Sequence, residues 1–247
     1  MMKTNTILPA LALSAAACLS QASAATFIYD IASVGAQNTL LSTDGWTGDD
    51  IDNWVVGAYT GAPFARNQND NGEDTITRAT SLFSVLSTSN TTLSIDITGR
   101  FGGTSTPIMA TGIADGTTLL LGVQKSGSSW TIVQNGTASS GAGGVGGFSG
   151  STNIENSLRL VLDYGTSTID LIHTTGGSST VLIDDYAMDS SVSAANLAAN
   201  ADGLYIRTDS KFVGPSNITI TSVVPEPSAA ALLGLGGLAL MLRRRKG

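Results

Sequence analysis

Short segments in which apolar and polar side chains alternate recur along the middle of this 247-residue chain. The clearest are Leu93-Ser94-Ile95-Asp96-Ile97 and Ile218-Thr219-Ile220-Thr221. Because successive side chains of a β-strand point to opposite faces, this period of two predicts strands with one face on a core and the other in water. Ser, Thr and Gly are abundant between these segments, and long runs of helix-forming residues are missing. The middle of the chain is therefore predicted to be all-β.

Two pairs of candidate strands are joined by short polar turns and predict β-hairpins, namely 157–163 with 168–173 and 117–124 with 129–134. Leu119 to Val123 is expected to be buried on both faces. Further strands are predicted at 26–33, 53–59, 80–86, 107–112, 179–183 and 203–208, with one short helix around 192–199 that ends at Asn200 and Gly203. Antiparallel strands of this number predict a two-sheet sandwich or a closed barrel, of which the sandwich is preferred.

The charge of the predicted domain limits its partners. Residues 25–224 hold 18 acidic side chains and 7 basic ones, a net charge of −11. No cluster of Lys and Arg is present in that span to neutralise phosphates, so nucleic acid is not expected as a partner. Anionic sugars are disfavoured too, unless a divalent cation bridges them.

The N-terminus has the organisation of a secretory signal peptide. Lys3 precedes an apolar run at 7–19, and Ala22-Ser23-Ala24 has the small-x-small spacing that signal peptidase accepts. We predict a signal peptide at residues 1–24, with cleavage after Ala24. A buried first helix is the alternative, but the run shows no amphipathic period. A lipoprotein cleavage box ending at Cys18, the one cysteine in the sequence, is a second alternative, but it lacks Leu three residues before the cysteine.

The C-terminus carries three features in a fixed order. Pro225-Glu226-Pro227 is followed by an apolar stretch at 228–242 and then by Arg243, Arg244, Arg245 and Lys246. In this order the segment 223–247 resembles the sorting signal of the PEP-CTERM family of exported bacterial proteins. The resemblance implies that an exosortase, an intramembrane cysteine transpeptidase, recognises Pro225, Glu226 and Pro227. The enzyme would cut near the tripeptide and release the protein or transfer it to another carrier.

The physical properties of the tail agree with that role. A helix over 228–242 would rise about 22 Å, which is shorter than a hydrocarbon core of about 30 Å, and the flanking arginines can snorkel to the membrane surface. The terminal cations should stay cytoplasmic, which places the domain outside the inner membrane. The alternative, a buried core helix, would have to hide three consecutive arginines.

The predicted domain at 25–222 shows a second resemblance. The segments Leu158-Arg159-Leu160-Val161-Leu162-Asp163, Gly165-Thr166, Ile169-Asp170-Leu171 and Asn217-Ile218-Thr219-Ile220 together resemble the concanavalin A-like jelly roll of laminin-G and legume-lectin domains. This resemblance implies an antiparallel two-sheet β-sandwich and transfers no sugar or metal site.

Two polar segments and two tryptophans are candidates for binding a metal or a sugar. The spacing Asn67-x-Asn69-x-Asn71-Gly72-x-Asp74 matches the oxygen positions of a calcium loop, but position twelve is Arg78 instead of Glu, so a solvated turn is preferred. Asp44, Asp49, Asp50 and Asp52 form a second acidic turn with the same interpretation. Trp46 or Trp54 beside it could stack on a sugar ring, although Trp54 is expected in the core.

Catalytic residues are not predicted. His173, the one histidine, shares strand parity with Ile169 and Leu171 and is expected to be structural. A glycosidase would need two carboxylates across a cleft. Glu73 and Glu155 stand alone in the sequence. Asp184 and Asp185 could serve as such a pair, but on a strand adjacent side chains point to opposite faces, and a turn pair is the preferred interpretation.

These patterns together predict a non-enzymatic exported protein of the cell surface or extracellular matrix that binds exopolysaccharide or another glycan. Its processing partners would be signal peptidase and exosortase, and residues 228–242 would anchor it in the inner membrane before processing. No cofactor is expected, apart from calcium at the candidate loop. A carbohydrate-active hydrolase on a jelly roll and a purely structural matrix protein remain as alternatives.

Overall fold

The computed structural model describes residues 23–59, 62–68, 73–82, 84–101, 109–126, 129–139, 156–208 and 214–224. Within these ranges the chain forms fifteen strands and one α-helix. The strands are β1 (Ser23–Asp30), β2 (Trp46–Gly48), β3 (Trp54–Tyr59), β4 (Ala62–Asn67), β5 (Asp74–Ala79), β6 (Thr92–Arg100), β7 (Met109–Asp115), β8 (Thr118–Ser126), β9 (Ser129–Gln134), β10 (Thr137–Ala138), β11 (Asn156–Asp163), β12 (Thr168–Thr175), β13 (Ser178–Ala187), β14 (Gly203–Thr208) and β15 (Gly214–Val224). The helix is α1 (Ala194–Asn200), and short 3-10 turns span Ile31–Ser33, Leu41–Asp44, Ile51–Asn53 and Ser190–Val192.

Two antiparallel sheets form the sandwich. The first has six strands in the order β1-β15-β6-β11-β12-β13, and the second has seven in the order β10-β9-β8-β7-β14-β5-β2. A separate ribbon joins β3 to β4. The predicted two-sheet β-sandwich is therefore confirmed.

The alternation seen in the sequence builds the core. In β6 the apolar residues Leu93, Ile95 and Ile97 are fully buried, while the residues between them are half-buried on the outer face. The buried leucines of β11 lie beside them in register, with Leu160 opposite Ile95. Burial of each such side chain stabilises the fold by about 1.5 to 3 kcal/mol, so this period of two fixes which face of the sheet turns inward.

Both predicted hairpins are confirmed by the strand pairing of β11 with β12 and of β8 with β9. The run from Leu119 to Val123 is buried throughout, as expected for a strand covered on both faces. Strand β14 has the predicted bounds. The predicted helix begins at Ala194, where the Ser193 side chain accepts a hydrogen bond from the N–H of Asn196 at 3.4 Å.

The prediction of a strand at 80–86 is wrong. Leu82, Val85 and Leu86 are all buried, but the N–H groups of Val85 and Leu86 both donate to the Leu82 carbonyl, at 3.0 and 2.9 Å. Their spacing of i, i+3 and i+4 is that of a helical turn, and the chain turns here. The sequence interpretation also missed β2, β4, β5 and β10, which are short or lack clear alternation.

The first predicted strand, 26–33, ends at Asp30. The carboxylate of Asp30 accepts a hydrogen bond from the N–H of Ala32 at 2.9 Å and starts a 3-10 turn. This local hydrogen bond competes with the sheet and ends the strand.

Candidate functional site

Strand β13, at one edge of the six-stranded sheet, carries two more residues than the neighbouring β12. Ten residues of β13 lie alongside eight of β12. One extra residue is Leu182, and the other lies in the pair Asp184 and Asp185, which together oppose Asp170. Such β-bulges bend a strand and change the direction of the side chains that follow.

The second bulge turns Tyr186 toward the interior. Ile183 is paired with the buried Leu171, so regular alternation would point residue 185 inward and Tyr186 outward. Because of the extra residue, Tyr186 is instead paired with the buried Ile169 and packs against the core. Asp185 accommodates the bulge with a φ of +49°.

The same bulge corrects two expectations for Asp184 and Asp185, that they form a turn pair and that on a strand their side chains would point to opposite faces. Both lie within β13, and their carboxylates come within 4.8 Å of each other and of Asp170. The N–H of Asp185 donates to Oδ1 of Asp170 at 2.8 Å. Asp170 is half-buried and the other two are exposed, so water screens their mutual repulsion. Strand alternation does not predict the direction of these two side chains, because the bulge inserts an extra residue at this point.

A cleft opens between the end of β13 and the turn that joins β9 to β10. Its volume is about 260 Å³. These two segments belong to different sheets, and both β13 and β10 are edge strands. The cleft therefore lies on an open side of the sandwich. Its described lining is made of amide, hydroxyl, carboxylate and aromatic side chains: Gln134, Asn135, Thr137, Tyr186, Asp189 and Ser191, with Ala138 and Ser139.

Gln134 fixes the two walls of this cleft relative to each other. Its amide nitrogen donates to the carbonyl of Ala187 at 3.2 Å, and its amide oxygen accepts from the N–H of Asp189 at 2.7 Å. One side chain of the seven-stranded sheet thus holds the segment that leaves the six-stranded sheet. Each such hydrogen bond contributes about 0.5 to 1.5 kcal/mol, and the pair also fixes the orientation of the amide.

Asp189 presents an ionised carboxylate to the cleft. Its Oδ1 accepts from the N–H of Ser191 at 2.8 Å. That backbone hydrogen bond lowers the pKa of Asp189. The carboxylate is exposed and is held in one orientation by the turn that it caps.

The calcium-loop candidates are brought together in part. Asn67 is fully buried and its Nδ2 donates to Oδ2 of Asp74 at 2.7 Å. Asn69 and Asn71 lie outside the described residues. The pair Asn67 and Asp74 thus links β4 to β5 through a hydrogen bond that uses one carboxylate oxygen.

The acidic turn at Asp44 has a structural role. Asp44 accepts from the Tyr29 hydroxyl at 2.6 Å and from Nε of Arg78 at 3.0 Å, and the Trp46 indole N–H donates to the Tyr29 hydroxyl at 2.6 Å. Burial and the Asp44 carboxylate raise the pKa of Tyr29, so its hydroxyl stays protonated. The prediction that Trp46 could stack on a sugar is wrong, because the residue is only 1% exposed. Trp54 is in the core, as expected.

His173 lies at the end of the inward-facing row of β12. Ile169 and Leu171 in this row are fully buried and His173 is half-buried. Burial lowers the pKa of its imidazole, because the charged form loses hydration.

The two predicted processing junctions lie side by side. In the antiparallel pair of β1 and β15, Ala24 is opposite Val223 and Ser23 is opposite Val224, the residue before Pro225. The other processing residues, Ala22, Pro225, Glu226, Pro227 and Arg243 to Arg245, lie outside the described residues, as does the apolar stretch 228–242. Within the described ranges no helix has the length and apolar character needed to cross a membrane.

The sequence interpretation missed Gln134, Tyr186 and Asp189. A signal for two of them was present. In Val181-Leu182-Ile183-Asp184-Asp185-Tyr186, consecutive apolar and then consecutive acidic residues break the alternation where the bulges occur. Asp189 followed by Ser190 and Ser191 is typical of a capped turn. Nothing near Gln134 indicates its partners, which lie more than 50 residues away in sequence.

Residues 223–246 match the family model described as the PEP-CTERM protein-sorting motif. No curated protein sequence matches the chain.

Solved structures share the architecture at low sequence identity. The winged bean acidic lectin complexed with methyl-α-D-galactose is 10% identical, and the alignment covers 83% of this chain and 100% of the lectin with a TM-score of 0.50. Lectin I from Ulex europaeus, in complex with the methyl glycoside of α-L-fucose, is 11% identical over 81% of this chain and 98% of its own, with a TM-score of 0.49. The endo-1,3-β-glucanase from Streptomyces sioyaensis is 11% identical over 81% and 96%, with a TM-score of 0.44.

At these identities the likeness concerns the fold. The predicted lectin-like jelly roll is confirmed, and so is the predicted sorting signal. The chain is a lectin-like antiparallel β-sandwich that carries a PEP-CTERM protein-sorting motif at residues 223–246.

Proposed function

We propose that this protein is exported, is sorted through its C-terminal tail and binds carbohydrate at the cell surface or in the extracellular matrix without cleaving it. The observation that carries the proposal is the position of the sorting motif. It begins at Val223, at the end of a β-strand of a lectin-like sandwich. The sandwich is thus the part that such a tail would deliver outside the cell. The winged bean lectin with this architecture was solved with a bound methyl galactoside.

The composition of the cleft favours binding over hydrolysis. A glycosidase acts with two carboxylates about 5 to 10 Å apart on either side of the scissile bond. Asp189 is the single carboxylate among the described residues that line the cleft. The three carboxylates around the β13 bulge lie on the adjacent strands β12 and β13 and are not among the described residues that line the cleft.

The tail residues have separate roles in this proposal. Pro225, Glu226 and Pro227 form the sequence that an exosortase recognises, and 228–242 holds the precursor in the inner membrane. Arg243, Arg244 and Arg245 keep the end of the chain cytoplasmic. Signal peptidase removes residues 1–24, and the domain 25–222 remains outside the inner membrane.

A glycan array tests the binding function. The exported protein, recovered from cells that process it, is incubated with immobilised glycans, and the solution is then analysed for released sugars. We expect saturable binding without products. Turnover that is abolished by Asp184→Asn or Asp189→Asn would instead show a carbohydrate-active hydrolase. If the protein shows neither binding nor turnover, the result would indicate a purely structural matrix protein.

A further inference from the structure

We propose that the cleft between β13 and the β9–β10 turn is a binding site for a neutral sugar, with Asp189 as acceptor for sugar hydroxyls and Tyr186 as the apolar contact. This inference rests on the proposed carbohydrate-binding function and assigns that function to particular residues.

The lining has the chemistry that a sugar needs. A sugar ring carries several hydroxyl groups on its edge and apolar C–H groups on its faces. Asn135, Thr137 and Asp189 supply amide, hydroxyl and carboxylate groups for the edge, and the Tyr186 ring supplies an aromatic surface. A few convergent polar groups fix the orientation of a ligand in a concave site, and here they lie beside one aromatic side chain. The volume of about 260 Å³ lies just below the range of about 300 to 1,000 Å³ that is usual for drug-sized ligands, so the cleft limits the ligand to the size of about one sugar ring.

The local charge selects against anionic ligands. No Lys or Arg is found among the described residues that line the cleft, and Asp189 is ionised. The span 25–224 carries a net charge of −11. A uronic acid or a phosphorylated ligand would therefore meet like charge without a compensating cation. A neutral sugar avoids this repulsion and can donate hydroxyl hydrogen bonds to the carboxylate, and such charge-assisted hydrogen bonds are stronger than neutral ones.

The backbone positions the two main contacts before any ligand arrives. Without the bulge at Asp184 and Asp185, Tyr186 would point to the outer face of the sheet, away from the cleft. Gln134 donates a hydrogen bond to the carbonyl of Ala187 and accepts one from the N–H of Asp189. These two hydrogen bonds hold the segment that carries Asp189. The bulge changes the direction of Tyr186, and Gln134 links the two sheets by hydrogen bonds. Together they preorganise the site.

The test compares two aspartate variants of the exported protein on the same ligands. The probes are neutral methyl glycosides and neutral oligosaccharides, with uronic-acid counterparts, measured by isothermal titration calorimetry. Asp189→Asn removes the charge but keeps an oxygen that can still accept from Ser191. Asp202→Asn is the matched control, because Asp202 is also exposed and also accepts a backbone hydrogen bond, from the N–H of Gly116 at 3.0 Å, but lies outside the cleft.

We expect Asp189→Asn to weaken binding of the best neutral probe about tenfold or more, as the loss of a hydrogen bond to a charged group implies, with Asp202→Asn within about twofold of wild type. Thr137→Val, which removes a hydroxyl and keeps the side-chain shape, should also weaken binding. Melting curves confirm that each variant is folded.

Each other outcome has a definite meaning. If wild type binds a neutral glycan and both Asp189→Asn and Thr137→Val bind it equally well, the cleft is not the site and the proposed function stands. Equal loss in Asp189→Asn and Asp202→Asn, or a preference for uronic acids, also overturns the inference. If wild type binds no glycan, the proposed function itself fails.

Discussion

Trp46 and Trp54 are both fully buried, but their indole N–H groups differ in their surroundings. The Trp46 N–H donates to the Tyr29 hydroxyl, which in turn donates to Asp44. The Trp54 N–H is buried and has no hydrogen-bond partner among the described residues. A buried donor without a partner is unfavourable, whereas the Trp46 donor takes part in a chain of hydrogen bonds that ends on a charged group.

We predict that Trp46→Phe destabilises the protein more than Trp54→Phe, by about 1 to 2 kcal/mol. Both changes remove similar volume, but only the first leaves the Tyr29 hydroxyl without its donor. Urea denaturation of the two variants and wild type measures the difference. Equal losses of unfolding free energy in the two variants would show that the Trp46 hydrogen bond does not contribute to stability.

His173 gives the domain a pH response that can be isolated, because it is the one histidine in the sequence. Its pKa in the folded protein is lowered from 6.5 by burial. The unfolded chain therefore binds the proton more readily, and the stability from neutral His173 is complete above about pH 6.5 and is lost as the pH falls toward the folded pKa.

We predict that acidification from pH 7.5 to 5 lowers the free energy of unfolding of wild type more than that of His173→Gln. Thermal melts of both proteins across this range measure it, and the carboxylates common to both cancel in the difference. A difference that does not change with pH would contradict the assigned burial of the imidazole.

The burial of Trp46 could not be predicted from the sequence, whereas that of Trp54 could. The burial of Trp46 depends on Tyr29 and Arg78, which are 17 and 32 positions away from it, and Trp46 itself lies in a strand of three residues. No period can be recognised in so short a segment. Trp54 precedes two apolar residues in a strand of six, so its place in the core was predictable.

At the scale of elements, regular strands follow from the sequence and irregular ones do not. Strand β6 alternates along its whole length, and the predicted segments 157–163 of β11 and 218–221 of β15 alternate in burial as well. Strand β13 was predicted only at 179–183, because its bulges place consecutive residues of like character together. The cleft depends on those bulges and on contacts between two sheets, which local patterns do not encode.

The bulge itself predicts opposite effects of glycine at two adjacent positions. Asp185 has a φ of +49°, where an L-residue is disfavoured by about 1 to 2 kcal/mol relative to glycine. Asp184→Gly should therefore destabilise by about 0.5 to 1 kcal/mol, as glycine does within a strand, while Asp185→Gly should be neutral or stabilising. Each variant removes one carboxylate of the same cluster, so charge effects are matched. Chemical denaturation measures the stability of both variants. An Asp185→Gly variant that is less stable than Asp184→Gly would argue against the bulge.

At the scale of the whole molecule, the fold places both predicted processing junctions at one end. Strands β1 and β15 are neighbours, and Ala24 lies opposite Val223 in their register. A leader before β1 and a tail after β15 would thus leave the sandwich from the same end. In the proposed precursor this end faces the membrane, and the opposite end of the sandwich is directed away from it.

We predict that Pro225→Ala combined with Pro227→Ala leaves the protein unprocessed and retained in the membrane, because the tripeptide is lost while the apolar stretch and the arginines remain. Cell fractionation with immunoblotting measures the retained fraction. Pro63→Ala, a proline change within the domain at β4, is the control and should be processed normally. Normal processing of the double variant would contradict recognition of Pro225 and Pro227 by an exosortase.

The intact mass of the protein recovered from the cells that produce it tests export and sorting together. We expect a chain that begins at Ala25, has been cut near Pro225 and is found outside the inner membrane. A soluble cytosolic protein that retains both Met1 and Gly247 would contradict export, sorting and the proposed extracellular function together.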